Sequence, residues 1–352
     1  MTPTSADIAR ASETARDKLA TVERATIGRL LTLYRDAEAT LVAELEGIAD
    51  DMGNVRLDAL REYLNQVRAA IATLQTAQRA TLGDALQTAA ELGASVWLAG
   101  ATVAVIAESA ARFVEHFVAA DGLKLSDRLW RIENGAVQAI ADTLRRAVVL
   151  GRDAGAAAAD FLARGEAVPE AIRRQIAAGG VSGLRDWVRQ ALTTGTGNAY
   201  QNALRVFRTE LNRAHGQAYQ SGAAGNPDVI GIKFNLSPNH PRYDVCDVHA
   251  RANLHGLGPG VYPVGRSPWP AHPNTMSYLT AVFRDEVSEA DKAGQQDVLS
   301  YLRGLQQDQQ EQVLGVAKSK ALRAGLLGEG DIEKPWKELR DGFERMGYVF
   351  DK

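Results

Sequence analysis

The residues best suited to chemistry lie in one short stretch in the second half of the chain. The clearest pattern is a Cys-x-x-His pair, Cys246 and His249, a spacing at which a thiolate and an imidazole bind one zinc ion. His272 follows from a proline-rich segment, residues 268–274. Because thiolate and imidazole ligands suit zinc better than magnesium, we treat Cys246, His249 and His272 as candidate ligands of a structural zinc.

Zinc binding is one of two interpretations of these residues. A strong zinc signature has two complete ligand pairs, whereas this chain has a single cysteine. His240, Asp244 or water would have to complete the ligand set. In the other interpretation no metal is bound: Cys246 is a small buried apolar residue, and the histidines hydrogen-bond to loop carbonyls.

A dense polar stretch, Arg208-Thr209-Glu210, precedes this region on a predicted helix. Glu210 can pair with Arg213, three positions on, and so fix the helix internally. A second interpretation is contact with phosphate or a partner, because residues 201–283 include seven basic and four acidic side chains. A third is a catalytic role for Glu210 together with His249 or His272. The candidate contact residues for a nucleic acid or a protein partner are Arg205, Arg208, Arg213, Arg242 and Arg251.

Composition and missing motifs exclude several classes of protein. With 45% hydrophobic and 24% charged residues, the chain is typical of a globular protein and not of a disordered one. A net charge of −3 excludes a broadly basic nucleic-acid coat, and one cysteine excludes an intrachain disulfide. Phosphate-binding loops, nucleophile elbows and H-E-x-x-H helices are missing, so most familiar enzyme classes lose support and we expect no enzyme.

The distribution of prolines predicts a largely helical chain with one irregular module. Eight of the eleven prolines lie between Pro227 and Pro273, and the chain has none from Thr4 to Val168. In the N-terminal part, apolar residues recur at steps of three and four, which predicts two long amphipathic helices separated by a break at 50–54. They can form an antiparallel hairpin or an intermolecular coiled coil.

The helices predicted next are 84–118, 126–150 and 153–164, followed by shorter ones. The uncharged stretch 92–107 has 16 residues, too few to span a membrane, so we expect it to be a buried helix and expect no membrane contact. Alternation from Val229 to Leu236 predicts a strand, short strands are expected near 260–264, and helices are expected to resume at Met276.

The predicted fold is therefore mainly α, with an elongated helical N-terminal region, a small α+β module near 198–283 and a helical C-terminal tail. The corresponding domain boundaries give a helical region at 1–195, a loop-rich module at 196–283 and a helical region at 284–352.

The order of the central motifs resembles the phage Mu F-like minor head protein family, also described as the phage head morphogenesis domain. The resemblance covers about 198–283. The motif residues that carry it are Arg208, Thr209, Glu210, Asp244, Cys246, His249, His272, Pro273 and Asn274, with the strand at 229–236 between the first and second groups. Members of that family commonly continue His-Pro-Asn-Cys-Arg-Cys, whereas this chain continues with Thr275, Met276 and Ser277. Both trailing cysteines are thus replaced.

The resemblance implies a virion assembly protein, present in several copies inside the head or at the portal vertex, and in the host cytoplasm during assembly. Its implied partners are the phage portal protein, the major capsid or scaffold protein, and phage DNA during packaging or ejection. Two other functions stay open. One is a metal-dependent nuclease or hydrolase that uses Cys246, His249 and His272. The other is a toxin-like or effector protein that uses the same module as an adaptor.

Overall fold

The computed structural model describes residues 4–48, 59–119, 122–163, 167–238, 240–272, 275–332 and 334–349. Most of these residues are helical, and three short strands form one antiparallel sheet, so the predicted mainly α fold with a small α+β module is confirmed. The helices are α1 Ser5–Gly47, α2 Leu60–Ser95, α3 Ala101–His116, α4 Leu125–Ala163, α5 Glu170–Gly179, α6 Val181–Arg189, α7 Ala199–Ala223, α8 Val245–Arg251, α9 Glu289–Ala293, α10 Val298–Gly304, α11 Gln307–Leu314, α12 Val316–Arg323 and α13 Trp336–Arg345. The strands are β1 Val229–Asn235, β2 Val261–Pro263 and β3 Tyr278–Phe283.

The chain divides into two compact units. The first, called here the sheet unit, comprises Met1–Lys18, Ala90–Ala110 and Asn212–Lys352. The second, called the helical unit, comprises Leu19–Ala89 and Ala111–Leu211. The chain passes from one unit to the other after residues 18, 89, 110 and 211, and the C-terminal helices belong to the same unit as the sheet. The three domains predicted from the sequence stay predictions.

The helical unit is built from the long amphipathic helices that the sequence predicts. Leu30, Tyr34, Leu41 and Leu45 lie on the predicted stripe of α1 and are fully buried. The Tyr63 hydroxyl of α2 donates to the Leu41 carbonyl at 2.9 Å. The two helices thus pack against each other within one chain, as the hairpin interpretation requires, while the break predicted at 50–54 lies outside the described residues.

Two helix boundaries differ from the predicted ones. The helix predicted at 84–118 is interrupted between α2, which ends at Ser95, and α3, and Gly100 just before α3 has a φ of 68° that a continuous helix does not contain. Conversely, α4 continues through Gly151, because the alanines at 156–159 favour helix strongly enough to offset the cost of one interior glycine. In the described part of the chain, no helix is both long and apolar enough to cross a membrane.

The sheet has the order β2-β1-β3, with both pairings antiparallel. β1 and β2 lie where the sequence predicts strands, and Ile232 and Phe234 of β1 are fully buried. β3 corrects the prediction that helices resume at Met276. Its run of aromatic and branched residues is typical of a strand, but it lacks the strict alternation that identifies β1.

The sheet unit has two apolar cores. The first, the sheet core, combines all three strands with Ile8 of α1, Val96, Tyr219 of α7 and Cys246 of α8. The Tyr219 hydroxyl accepts the N–H of Ala281 in β3 at 2.9 Å and bonds to the Ser12 hydroxyl at 3.3 Å. The second, the C-terminal core, contains residues of α10, α12 and α13 together with Val248 of α8 and Ala252.

Glycine permits close approach at several points in the sheet unit, and three of them lie on helices. A Cβ added at Gly93 of α2 would overlap the backbone carbonyl oxygen of His215 in α7. One at Gly216 would overlap the Trp269 ring, and one at Gly222 would overlap the Trp97 ring. Backbone atoms cannot move aside as a flexible side chain can, so Gly93 is the strictest of the three positions.

We predict that Gly93→Ala destabilises the protein by about 1–3 kcal/mol, because α2 and α7 must separate to admit the methyl group. Gly83→Ala, in the same helix, is the matched control, because a Cβ there has no neighbour within 4 Å. The control should be neutral or stabilising by about 0.5–1 kcal/mol. Urea unfolding measures both changes, and equal effects would contradict the close-packing argument.

Candidate functional site

The candidate site surrounds the first turn of α8, a helix of seven residues that is too short to be stable alone. Two carboxylates form a capping box at its start. Asp244 Oδ1 accepts the N–H of Cys246 at 2.7 Å, and Asp247 Oδ2 accepts the N–H of Asp244 at 3.0 Å. The Asp-x-x-Asp spacing therefore makes the helix begin at Val245.

The same two carboxylates connect α8 to the loops on either side. The Nε2 atom of His240 lies 2.9 Å from Asp247 Oδ2 and 3.6 Å from Asp244 Oδ1. The Nε2 atom of His272 lies 3.5 Å from Asp244 Oδ2, and Arg251 pairs with Asp247 Oδ1 at 3.0 Å. Polar contacts from two separate loops thus converge on one helix turn.

Cys246 is fully buried behind this turn and contacts two hydroxyl residues. Its Sγ atom lies 3.7 Å from the Thr275 hydroxyl. Burial raises the pKa of the thiol to about 11, although the hydroxyls of Thr275 and Ser277 act in the opposite direction. Both of these residues are themselves buried. At neutral pH the sulfur is therefore a protonated thiol, not a nucleophilic thiolate.

His249 lies in the core and not among the polar groups of the first turn. Its Nδ1 atom lies 3.1 Å from the Tyr262 hydroxyl, and its ring is 5.6 Å from that of Phe234. Burial lowers the pKa of His249 to about 4, even though the Asp244 carboxylate raises it. The imidazole is accordingly neutral at physiological pH, and it packs against Phe234 of β1 and Tyr262 of β2.

Within the described residues, two groups of side chains have ligand atoms close enough to share a metal ion. Asp244, Cys246 and His272 form one group and His240, Asp244 and Asp247 the other, each with all ligand atoms within 4.8 Å of one another. Of the three predicted zinc ligands, the structure therefore brings Cys246 and His272 together, with Asp244 as the third member.

The donors of the first group are of the kinds that zinc accepts, but they are already engaged. The thiol would have to lose a proton whose pKa is about 11. Asp244 would have to give up its contact with His272 or the N-cap hydrogen bond that starts α8. To bind a metal, these residues would thus have to break contacts that shape the site. The hydrogen bonds and ion pairs described above fix the geometry of the site.

The sequence interpretation gave no structural role to Asp247 or Asn212, and it noted Thr275 and Ser277 only as replacements of the family's trailing cysteines. Asp247 was detectable, because an acidic residue three positions after an N-cap is the signature of a capping box. The other three were not, since their role depends on contacts distant in sequence. The Asn212 amide donates to the Thr275 carbonyl at 3.0 Å, and the Trp269 indole N–H donates to the Asn212 carbonyl at 3.1 Å.

The predicted Arg-Thr-Glu motif lies on α7, in the helical unit. Glu210 is 1% exposed and pairs with Arg128 of α4 at 3.0 Å. From the sequence alone, only Arg213 is expected as the partner of Glu210. The Thr209 hydroxyl donates to the Arg205 carbonyl at 2.7 Å. This motif therefore joins α7 to α4. Pro273 and Asn274, the end of the second motif, lie outside the described residues.

The five candidate contact arginines differ in their surroundings. Arg208 pairs with Glu23 at 2.9 Å and Arg251 pairs with Asp247 at 3.0 Å. Arg213 is buried. Arg205 and Arg242 are exposed, and Arg205 bonds to the Asn202 side chain one turn earlier. Three of the five thus have structural roles within their own unit, and contact with DNA or a partner stays a prediction.

Comparison of the chain with family models, curated proteins and solved structures gave no match.

We predict that Asp244→Ala destabilises the protein by on the order of 1–2 kcal/mol, because it removes the N-cap of α8. The matched control is Asp244→Asn, which keeps an N-cap oxygen but loses the charge that faces His240 and His272. This variant should lose clearly less stability than Asp244→Ala. Chemical denaturation at pH 7 compares the two. If both substitutions lower the free energy of unfolding equally, the N-cap hydrogen bond is not what Asp244 contributes to stability.

We further predict that zinc does not stabilise the native chain at neutral pH, whereas the double variant Thr275→Cys/Ser277→Cys gains zinc-dependent stability. Both hydroxyls adjoin Cys246, so the variant would offer three thiolates beside His272. Thermal melts with zinc and with chelator, together with metal analysis of untagged protein, measure the difference. The control is Met276→Cys, whose parent side chain is 55% exposed. Zinc-dependent melting of the native chain would disprove the first half.

Proposed function

We propose that this chain is a structural assembly protein of a tailed-phage or prophage head, which acts at or near the portal and contacts portal, capsid or scaffold protein. The proposal rests on the resemblance to the Mu F-like family and on one observation about its motifs. The positions at which the family has its trailing cysteines, Thr275 and Ser277, adjoin Cys246 in space, and so does His272.

This convergence supports the resemblance because sequence spacing alone does not require it. Cys246 and Thr275 are separated by 29 positions, yet Sγ and Oγ1 lie 3.7 Å apart. A family whose members carry cysteines at both trailing positions would gather three thiols and an imidazole at this point. Here hydroxyls take the place of two thiols. The motif can thus cross-link a loop-rich segment in two ways. Family members that have the cysteines would use a metal, and this chain would use hydrogen bonds.

The surroundings of the motif favour a structural role over catalysis. A metal-dependent hydrolase needs a carboxylate or imidazole that is free to act as a general base. Asp244 and Asp247 cap α8 and contact histidines, and Glu210 is paired with Arg128. The acidic groups of the family-like motifs are therefore committed to holding helices and loops in place.

The proposal is tested by co-expressing the full chain with the portal and major capsid proteins encoded in the same phage or prophage genome. We expect it to co-sediment with portal rings or with assembled heads. Portal rings and heads that assemble without the chain, leaving it as a free monomer, would contradict the proposal.

The hydrolase alternative is tested separately, by incubating the purified chain with linear DNA and either zinc or magnesium. We expect the DNA to stay intact. Cleavage that is lost in His272→Gln, but kept in the matched variant His255→Gln, would instead favour a metal-dependent nuclease.

A further inference from the structure

The helical unit contains a layer of polar residues inside its apolar core. On α4, the buried stripe Leu125, Leu129, Ala136, Ile140 and Leu144 is interrupted by Glu133, which is 4% exposed. On α2, the stripe formed by Ile71, Leu74, Leu82 and Ala85 is interrupted by Gln78, which is fully buried. On α1, fully buried Tyr34 lies between Leu30 and Ala37. Each polar side chain thus occupies a position that the helical pattern reserves for an apolar one.

These side chains lack the hydrogen bonds that buried polar groups normally make. Both carboxylate oxygens of Glu133, both amide heteroatoms of Gln78 and the Tyr34 hydroxyl are buried without a well-formed hydrogen bond. Such groups destabilise the folded state when they stay unsatisfied. Three on adjoining helices are unusual enough to require an explanation.

We propose that Tyr34, Gln78 and Glu133 form a proton-binding layer, which keeps α1, α2 and α4 packed while Glu133 carries a proton and loosens their packing when Glu133 is ionised. The proposal does not depend on the proposed function. A protonated Glu133 is neutral and supplies one O–H donor, for which the Gln78 and Tyr34 oxygens are potential acceptors. An ionised Glu133 is a buried charge without an ion-pair partner of its own in the layer.

The groups around Glu133 support this assignment. Burial raises the pKa of Glu133 from 4.5 to about 7, against the lowering effects of the Arg79 guanidinium and the Gln75 amide on α2. On α1, burial raises the pKa of Tyr34; Gln78 lowers it, and Glu133 raises it further. Tyr200 of α7 packs edge-on against Tyr34, with ring centroids 5.8 Å apart. Arg79 is exposed and also lines a cavity of about 240 Å³ with Glu115, so its charge is shared with solvent.

The direction of the pH effect follows from linkage. The folded-state pKa of Glu133 lies above its unfolded value, so the folded unit binds the proton more tightly. The resulting stability is fully present below pH 4.5 and is lost as the pH rises to about 7. Between pH 5 and pH 7, the opening equilibrium constant of the helical unit should rise about 40-fold, because Glu133 is already half ionised in the folded state at pH 7.

Hydrogen exchange of the full chain, corrected for intrinsic exchange rates, tests the proposal in peptides from α1, α2 and α4. Glu133→Gln, a neutral isostere, should lose the pH dependence of opening. Glu62→Gln is the matched control, because Glu62 is exposed on α2 and its loss leaves the layer intact. Peptides from β1 and β3 provide an internal reference. His116 is present in every variant, so the difference between variants reports Glu133.

The native chain alone can overturn the proposal, whether or not a variant folds. If opening of α1, α2 and α4 does not change between pH 5 and pH 7, Glu133 holds no titrating proton. If it changes equally in the native chain and in Glu133→Gln, another group is responsible. Glu133→Leu, which fills the position with an apolar side chain, should also be independent of pH; retained dependence in that variant likewise contradicts the proposal.

Discussion

The sheet unit depends on two aspartates at the start of a seven-residue helix. α8 contributes Cys246 to the sheet core and Val248 to the C-terminal core, so both cores meet at one helix. A helix this short gains too few internal hydrogen bonds to form alone. The Asp244–Asp247 capping box satisfies its first backbone N–H groups and also contacts His240 and His272. The packing of both cores therefore follows from where this helix begins.

A metal site and this polar network are two solutions to the same physical problem. Residues 236–277 are rich in loops and bury few apolar side chains of their own, and such segments commonly need a cross-link. Zinc provides one through thiolates that bind only when deprotonated. In this chain burial raises the pKa of the Cys246 thiol to about 11, which opposes its deprotonation, and Thr275 and Ser277 offer hydroxyls in its neighbourhood. The cross-link is then the sum of several ordinary hydrogen bonds and ion pairs.

The sequence predicts what depends on local periodicity and little that depends on distant contacts. The stripes of α1 and α2 and the alternation of β1 are local signals, and the structure has these elements. β3 lacks alternation because both of its faces are partly covered. Of the three candidate zinc ligands, Cys246 and His272 lie close together with Asp244, and His249 does not join them. His249 instead packs against Tyr262, a contact that depends on how β1 and β2 pair.

Two buried carboxylates, Asp247 in the sheet unit and Glu133 in the helical unit, have opposite consequences, and their partners account for the difference. Asp247 is 2% exposed and accepts hydrogen bonds or ion pairs on both oxygens, so its charge is compensated where it lies. Glu133 is buried to a similar degree, its oxygens lack a well-formed hydrogen bond, and the Arg79 guanidinium and the Gln75 amide offset its desolvation only in part. Desolvation penalises a charge in either place, but only a compensated one can stabilise the fold. Asp247 therefore helps to fix the start of α8, whereas Glu133 makes the packing of its bundle respond to pH.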